Sequence, residues 1–135
     1  MKSANVYLMF DGNCREAMTF YGKCMQTEPG FTPYSAVPQA VGEAAKSSPD
    51  RIMHSELAAG PVVLMASDTM PGMPFTQGHN FSIALTCESR EEMDRLFAAL
   101  SENGKVTMPA GEAFWGGRFG MLTDRFGISW MLTFR

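Results

Sequence analysis

Several features that would indicate a nucleic-acid partner or a membrane span are missing from this sequence. Only 19% of its 135 residues are charged, the net charge is −3, and lysines and arginines form no run. A phosphate-backbone partner would need such a basic patch. No apolar stretch approaches the roughly 20 residues that cross a bilayer. The first residues lead straight into an alternating apolar segment and not into a signal-peptide core, so we expect a cytoplasmic protein.

Cysteine and histidine are also scarce. The three cysteines, Cys14, Cys24 and Cys87, include no C-x-x-C pair of the metal-binding kind. In a reducing compartment they are most simply small buried hydrophobic residues. The chain is long enough to bury about two-thirds of its unfolded surface, so it needs no disulfide or metal to fold. The 12 methionines fit either a Met-rich core or a pliable apolar pocket.

A strand–helix unit occurs twice. Residues 5–10 alternate as a strand, and Asn13 is placed to cap the following helix. Residues 81–87 form a second strand, followed by Ser89 and Glu92 in capping-box spacing. The same offset in sequence that aligns Asn13 with Ser89 also aligns the apolar stripes of the two helices. These stripes are Ala17, Phe20, Tyr21 and Cys24 in the first helix and Met93, Leu96, Phe97 and Leu100 in the second.

Three further strands follow each helix. They are predicted at residues 31–37, 51–59 and 61–67 in the first half, and at 105–111, 117–123 and 128–134 in the second. Residues 38–50 and 68–78, which are rich in small residues or in proline and glycine, are predicted to be loops. The sequence therefore predicts a single α+β domain of two β-α-β-β-β modules, at about 4–68 and 79–135, joined by a loop at 69–78.

Segments along nearly the whole chain resemble PhnB-like proteins of the vicinal oxygen chelate superfamily, which includes glyoxalase I and the bleomycin resistance proteins. They are FDGNCREA at residues 10–17 with Phe20-Tyr21, IMHSEL at 52–57, VLMASD at 63–68, and FWGGRFGMLTDRFG at 114–127, closed by Trp130. The resemblance implies paired β-α-β-β-β modules whose curved mixed sheets form a cup resembling a barrel. It also implies a homodimer, in some members with modules exchanged between chains.

Enzymes of that superfamily hold a divalent metal with His, Gln or Glu on the first strand of each module and on the last strand. Carried onto this sequence, those positions fall at Val6 (or Tyr7, if the register slips), Ser82 and Met131. None of these is a credible ligand for Fe, Mn, Ni or Zn. We therefore expect no metal cofactor, with a divalent metal as the alternative.

Other residues could still form a site. His54 and Glu56 alternate on one strand, so both point to the same face, where they could bind a metal, act as acid and base, or simply face solvent. His79 precedes the second module and fits either a pocket or its rim.

Around residues 114–120, Trp115 and Arg118 lie beside two glycines. That segment could contact a ligand, with Arg118 pairing a carboxylate or phosphate, or form a turn plugged by aromatic side chains. Trp130 is a further candidate for ligand contact. We expect it instead to pack in the core, with its indole N–H donating to a carbonyl. Asp124 is expected to organise the adjacent turn, and Asp68 to end its strand in a similar way.

A methyltransferase activity, sometimes attributed to PhnB-like domains, has little support in the sequence. Adenosyl methyl donors usually bind a doubly wound parallel sheet with a glycine-rich first turn, whereas residues 11–14 here read as a helix cap. The leading hypothesis is a metal-independent protein that binds a small apolar or aromatic ligand. The alternatives are a divergent metal-dependent lyase, isomerase or dioxygenase, and a purely structural or interaction module.

Overall fold

The computed structural model describes all residues 1–135 and contains two compact units, Met1–Thr76 and Gln77–Arg135. Unit 1 contains β1 (Val6–Phe10), α1 (Cys14–Met25), β2 (Gly30–Pro33), a 3-10 turn (Tyr34–Ala36), α2 (Pro38–Val41), α3 (Ala44–Ser47), β3 (Ile52–Ala59) and β4 (Val62–Asp68). Unit 2 contains β5 (Ile83–Thr86), α4 (Arg90–Ser101), β6 (Lys105–Glu112), β7 (Arg118–Thr123) and β8 (Ser129–Phe134).

The two units share one topology. Unit 1 has the strand order β1-β4-β3-β2 and unit 2 the order β5-β8-β7-β6. In each sheet the first strand pairs parallel with the last, and the other neighbours are antiparallel. The predicted α+β class and its repeated β-α-β-β-β order are confirmed. No helix has both the length and the apolar character needed to cross a bilayer.

One face of each sheet is covered by its long helix. The stripe on α4 is buried at all four predicted positions, and on α1 Ala17, Tyr21 and Cys24 are buried while Phe20 is only half-buried. On β1 of unit 1 the buried residues Leu8 and Phe10 alternate with exposed ones. Side chains between them, such as Tyr7 and Met9, lie on the opposite face and are about half exposed.

The prediction of a loop at residues 38–50 was wrong. This stretch forms the short helices α2 and α3, whose Val41 and Ala44 pack with Tyr34 in a small core of their own. Helices of four residues are too short to show a periodic apolar pattern, which is why the sequence did not predict them. The strand predicted at 31–37 is also shorter, because the register breaks at Pro33 and the chain turns at Tyr34.

The two long helices are capped in different ways. On α4 the capping box is confirmed: Ser89 Oγ accepts from the Glu92 N–H at 3.0 Å, and Glu92 Oε1 accepts from the Glu88 N–H at 3.1 Å. On α1, Asn13 occupies the cap position but its side chain makes no capping bond. The carboxylate of Asp68, at the end of β4, instead accepts from the Gly12 and Cys14 N–H groups. A residue distant in sequence thus replaces the predicted local cap.

Asp124 organises the turn between β7 and β8, as expected. Its Oδ1 accepts from the N–H groups of Phe126 and Ile128, at 2.8 and 3.1 Å. Its Oδ2 accepts from the indole N–H of Trp130 at 2.8 Å. Trp130 is fully buried, so its core placement was correct, but its partner is this carboxylate and not a carbonyl.

Candidate functional site

A polar cluster lies on the open face of the unit 1 sheet, the face that α1 leaves uncovered. Met65 on β4 is the direct neighbour of both Tyr7 on β1 and Glu56 on β3, so all three point to the same side. His54, two residues before Glu56, and Ser67, two residues after Met65, share that side by strand alternation. The sheet register therefore brings Tyr7, His54, Glu56 and Ser67 together from three strands.

Hydrogen bonds link His54, Tyr7 and Ser67 in series. The Tyr7 hydroxyl lies 3.2 Å from His54 Nδ1 and forms a short hydrogen bond with Ser67 Oγ. Ser67 Oγ donates to the backbone carbonyl of Met53 at 2.7 Å. The rings of Tyr7 and His54 also lie against each other, with centroids 5.9 Å apart. These contacts hold the imidazole in one position.

Counting protons gives the direction of each bond in this chain. Ser67 has one hydroxyl proton, and the Met53 carbonyl accepts it, so Ser67 Oγ must accept the proton of Tyr7. The Tyr7 oxygen has then donated its only proton and can only accept from His54. In this arrangement every hydroxyl proton has an acceptor, and a neutral His54 has its proton on Nδ1 and a lone pair on Nε2.

The free nitrogen of His54 faces a carboxylate. Its Nε2 lies 3.8 Å from Glu56 Oε2, which is an ion-pair distance when the imidazole is protonated and too long for a hydrogen bond. The side chains of His54 and Glu56 are 40% and 53% exposed, so small molecules can reach both. An accessible imidazole beside a carboxylate is an arrangement that can transfer protons.

Unit 2 contains a separate open cleft of about 450 Å³. Its lining residues are Thr86, Cys87, Trp115, Phe119, Thr133 and Arg135. The rings of Trp115 and Phe119 meet edge to face, with centroids 5.2 Å apart, and Trp115 is 45% exposed. An aromatic wall with one cationic side chain and two threonine hydroxyls suits a flat, mostly apolar ligand that carries an acidic group.

The glycines beside Trp115 shape the turn between β6 and β7. Gly116 and Gly117 have φ values of 93° and 83°, a conformation that costs other residues strain. A Cβ on Gly117 would also lie 2.6 Å from the carbonyl oxygen of Phe134. The turn accounts for both glycines, and it sets Trp115 at the edge of the cleft.

The remaining candidates lie apart from these two sites. Arg118 is only 18% exposed, and its Nε donates to Asp94 on α4 at 2.8 Å, so this nitrogen is already paired within the protein. Trp130 is fully buried and presents no surface to a ligand. His79 is exposed in the segment before β5.

The residues do not fit the divalent metal that the superfamily implies. Val6, Ser82 and Met131 supply no nitrogen or carboxylate ligand. His54 and Glu56 form only a pair, and nowhere does the structure assemble three or more His, Cys, Asp or Glu side chains as a metal site. We therefore derive no chemistry through a metal.

Two members of the polar cluster were missed by sequence reasoning. Tyr7 was considered only as a metal position reached by a register slip, and Ser67 not at all. Alternation along β1 does place Tyr7 on the open face, and this signal was available. Ser67 carries no such signal, because only the pairing of β4 with β1 and β3 brings it to the phenol.

Comparison with known proteins gives a consistent set of relatives. The family model described as 3-demethylubiquinone-9 3-methyltransferase matches residues 2–133. Protein YjdN of Escherichia coli (strain K12) is 31% identical over 134 residues, covering 93% of this chain and 90% of that protein.

Solved structures show the same fold. Protein PA1353 from Pseudomonas aeruginosa has a TM-score of 0.82 and 39% identity, with 98% of each chain covered. A putative 3-demethylubiquinone-9 3-methyltransferase, PhnB protein, from Bacillus cereus has a TM-score of 0.78 and 27% identity, covering 99% of this chain and 100% of its own. A glyoxalase/bleomycin resistance protein from Albidiferax ferrireducens T118, at 17% identity, shares the fold with a TM-score of 0.63 over 98% of this chain and 99% of its own.

Proposed function

This chain belongs to the PhnB-like family, and we propose that it is a small-molecule binding protein that holds an aromatic or apolar ligand without a metal ion. The observation that carries the proposal is the cleft of unit 2, with its edge-to-face pair of Trp115 and Phe119. A cleft of about 450 Å³ lies within the usual size range of ligand sites, about 300–1,000 Å³.

The residues around the cleft indicate the chemistry of the ligand. The half-exposed indole of Trp115 offers a flat apolar surface, and a ring stacked there is stabilised by about 0.5–1.5 kcal/mol beyond the area it buries. Arg135 lines the same cleft and can pair with an anionic substituent. We propose that a planar aromatic acid fits this site better than a neutral aromatic compound of the same size.

Methyl transfer, the activity in the description of the family model, is not part of this proposal. Adenosyl methyl donors usually bind an open parallel sheet with helices on both faces. Each sheet here has a single parallel pair, β1 with β4 or β5 with β8, and its other pairs are antiparallel. The fold is shared by proteins with different functions, so the proposal rests on the cleft.

The test is a calorimetric titration in the presence of EDTA. Its two matched ligands are 1-naphthoate and 1-naphthalenemethanol. We expect 1-naphthoate to bind more tightly, and Trp115→Ala to weaken its binding by about tenfold, since one stacked ring and its buried area are lost. Phe81→Ala is the matched control, because Phe81 is an exposed aromatic residue of the same unit (49%) that does not line the cleft.

Three results would count against the proposal. Wild-type protein that binds neither compound would remove the cleft as an aromatic site. Equal affinities for wild type and Trp115→Ala would show that binding occurs elsewhere. If EDTA abolished binding, the metal-independent part would be wrong.

We also propose that the protein is a homodimer in a reducing compartment. The edge strand β6 exposes Val106 (43%) and Met108 (48%), and such apolar edges are usually covered by a partner. Cys14, Cys24 and Cys87 are buried and form no disulfide. Sedimentation equilibrium that gave only the 14.8 kDa monomer would contradict the dimer.

A further inference from the structure

We propose that the polar cluster of unit 1 is a general-base site in which His54 Nε2 removes a proton from a weak carbon acid. This activity is independent of the ligand cleft proposed for unit 2, because it uses none of its residues. The substrate class is a small molecule with an acidic C–H bond, such as one next to a carbonyl or an imine.

The first requirement of a base is a lone pair held in place. Tyr7 and Ser67 contact the Nδ1 side of His54 through hydrogen bonds that end on the Met53 carbonyl, and we infer that they keep the His54 proton on Nδ1. Nε2 is then the only basic nitrogen of the ring. Enzymes that use histidine as a base orient it in the same manner, through a hydrogen bond to its other nitrogen.

The second requirement is stabilisation of the charge that the base acquires. When Nε2 takes a proton, the imidazolium lies 3.8 Å from the Glu56 carboxylate. That separation gives a favourable Coulomb interaction even at an exposed site. Glu56 thus stabilises the protonated state without holding the proton itself.

The arrangement differs from an ordinary surface network. Four polar side chains from three strands converge, and in the proton arrangement inferred above the lone pair of Nε2 lies on the accessible side of the sheet. The 40% exposed imidazole lies against the Tyr7 ring, which gives it a partly apolar setting.

The probe for the test is 5-nitrobenzisoxazole, whose ring opening needs only a base. Nε2 takes the C3 proton, the electrons of that C–H bond form the nitrile, and the N–O bond breaks to leave a coloured cyanonitrophenolate. The imidazolium then returns its proton to solvent, so the step is balanced without any further reactant.

We expect His54→Ala to lower the rate at least tenfold, which is below the contribution of about 10²–10⁴ from a base evolved for its substrate. Glu56→Gln should lower it about fivefold through the lost charge interaction. His79→Ala is the matched control and should leave the rate unchanged, because His79 is an exposed histidine outside the cluster.

A second readout tests Tyr7 and Ser67 as positioning residues. Nitrogen NMR of the two histidines should show neutral His54 protonated on Nδ1, with His79 as an internal reference in the same spectrum. Tyr7→Phe and Ser67→Ala should shift His54 away from that single tautomer and leave His79 unchanged. Equal rates for wild type and His54→Ala, including no rate above buffer for either, would overturn the proposal, as would a His54 protonated on Nε2.

Discussion

The substitution Asp68→Asn tests whether one buried carboxylate joins three elements of unit 1. Asp68 is only 4% exposed. Its Oδ1 accepts from the N–H groups of Gly12 and Cys14, at 2.9 and 3.0 Å, and its Oδ2 accepts from the Ile52 N–H at 2.8 Å. It therefore ties the end of β4 to the start of α1 and to the start of β3.

The size of the effect follows from these three bonds. An asparagine can keep its oxygen toward Gly12 and Cys14. The acceptor of those two bonds is then neutral instead of charged, and each bond is weaker by about 1 kcal/mol. Its amide group then faces the Ile52 N–H, so a charged bond worth about 1.5–3 kcal/mol is lost and two donors face each other. Together these changes lower the free energy of unfolding by about 3–5 kcal/mol, a large share of the usual 5–15 kcal/mol.

The assay is urea unfolding followed by circular dichroism, which reports on the backbone of both units. Both tryptophans lie in unit 2, so fluorescence alone would not follow the affected region. Asp11→Asn is the matched control: Asp11 pairs with Arg51 at 3.2 Å, but its side chain is 55% exposed. Such a pair is worth less than about 1 kcal/mol. If Asp68→Asn cost no more than this control, the three bonds would not have the role assigned to them.

Two further predictions concern the helix caps and the buried thiols. Ser89→Ala should destabilise the protein by about 1 kcal/mol, since it removes a capping bond. Asn13→Ala should change stability by less than half as much, because the Asn13 side chain makes no such bond. Equal losses of stability in thermal unfolding would refute this prediction. Burial, and next the charge of Asp68, raise the pKa of Cys14 from 9.0 to about 12, while burial and then Glu92 raise that of Cys87 from 9.0 to about 11. Because the folded protein holds these protons more tightly, their stabilisation is complete below pH 9 and is lost as the pH rises toward 11–12. The urea midpoint of unfolding should therefore decrease as the pH rises through that window, and it should decrease less steeply in the double variant Cys14→Ala/Cys87→Ala. If the midpoint decreased equally steeply in both proteins, the two thiols would not be the cause.

The repeat was predictable because it depends on patterns that are local in sequence. The stripe on α4 and its capping box involve residues within a few positions of one another, and the structure shows both. The turn at Asp124 was predictable for the same reason, since its Oδ1 bonds reach only two and four residues ahead. The two short helices at residues 38–47 were missed because neither is long enough to repeat an apolar position.

The candidate site could be predicted only in part. His54 and Glu56 share a face because they are two residues apart on one strand, which sequence alone determines. Their distance to Tyr7 and Ser67 depends on which strands are neighbours and in what register, and a slip of one residue would turn either partner to the other face. The same holds for Asp68, which caps a helix that begins 54 positions earlier in the chain.

The sequence was thus enough to predict the two long helices, most of the strands, their repetition and the family, because stripes and turns act over short distances along the chain. The pairing of β1 with β4, the cap supplied by Asp68 and the contacts of the His54 ring with Tyr7 became clear only from the tertiary structure. Those features depend on contacts between residues that are distant in sequence, and such contacts exist only when the sheet register is fixed.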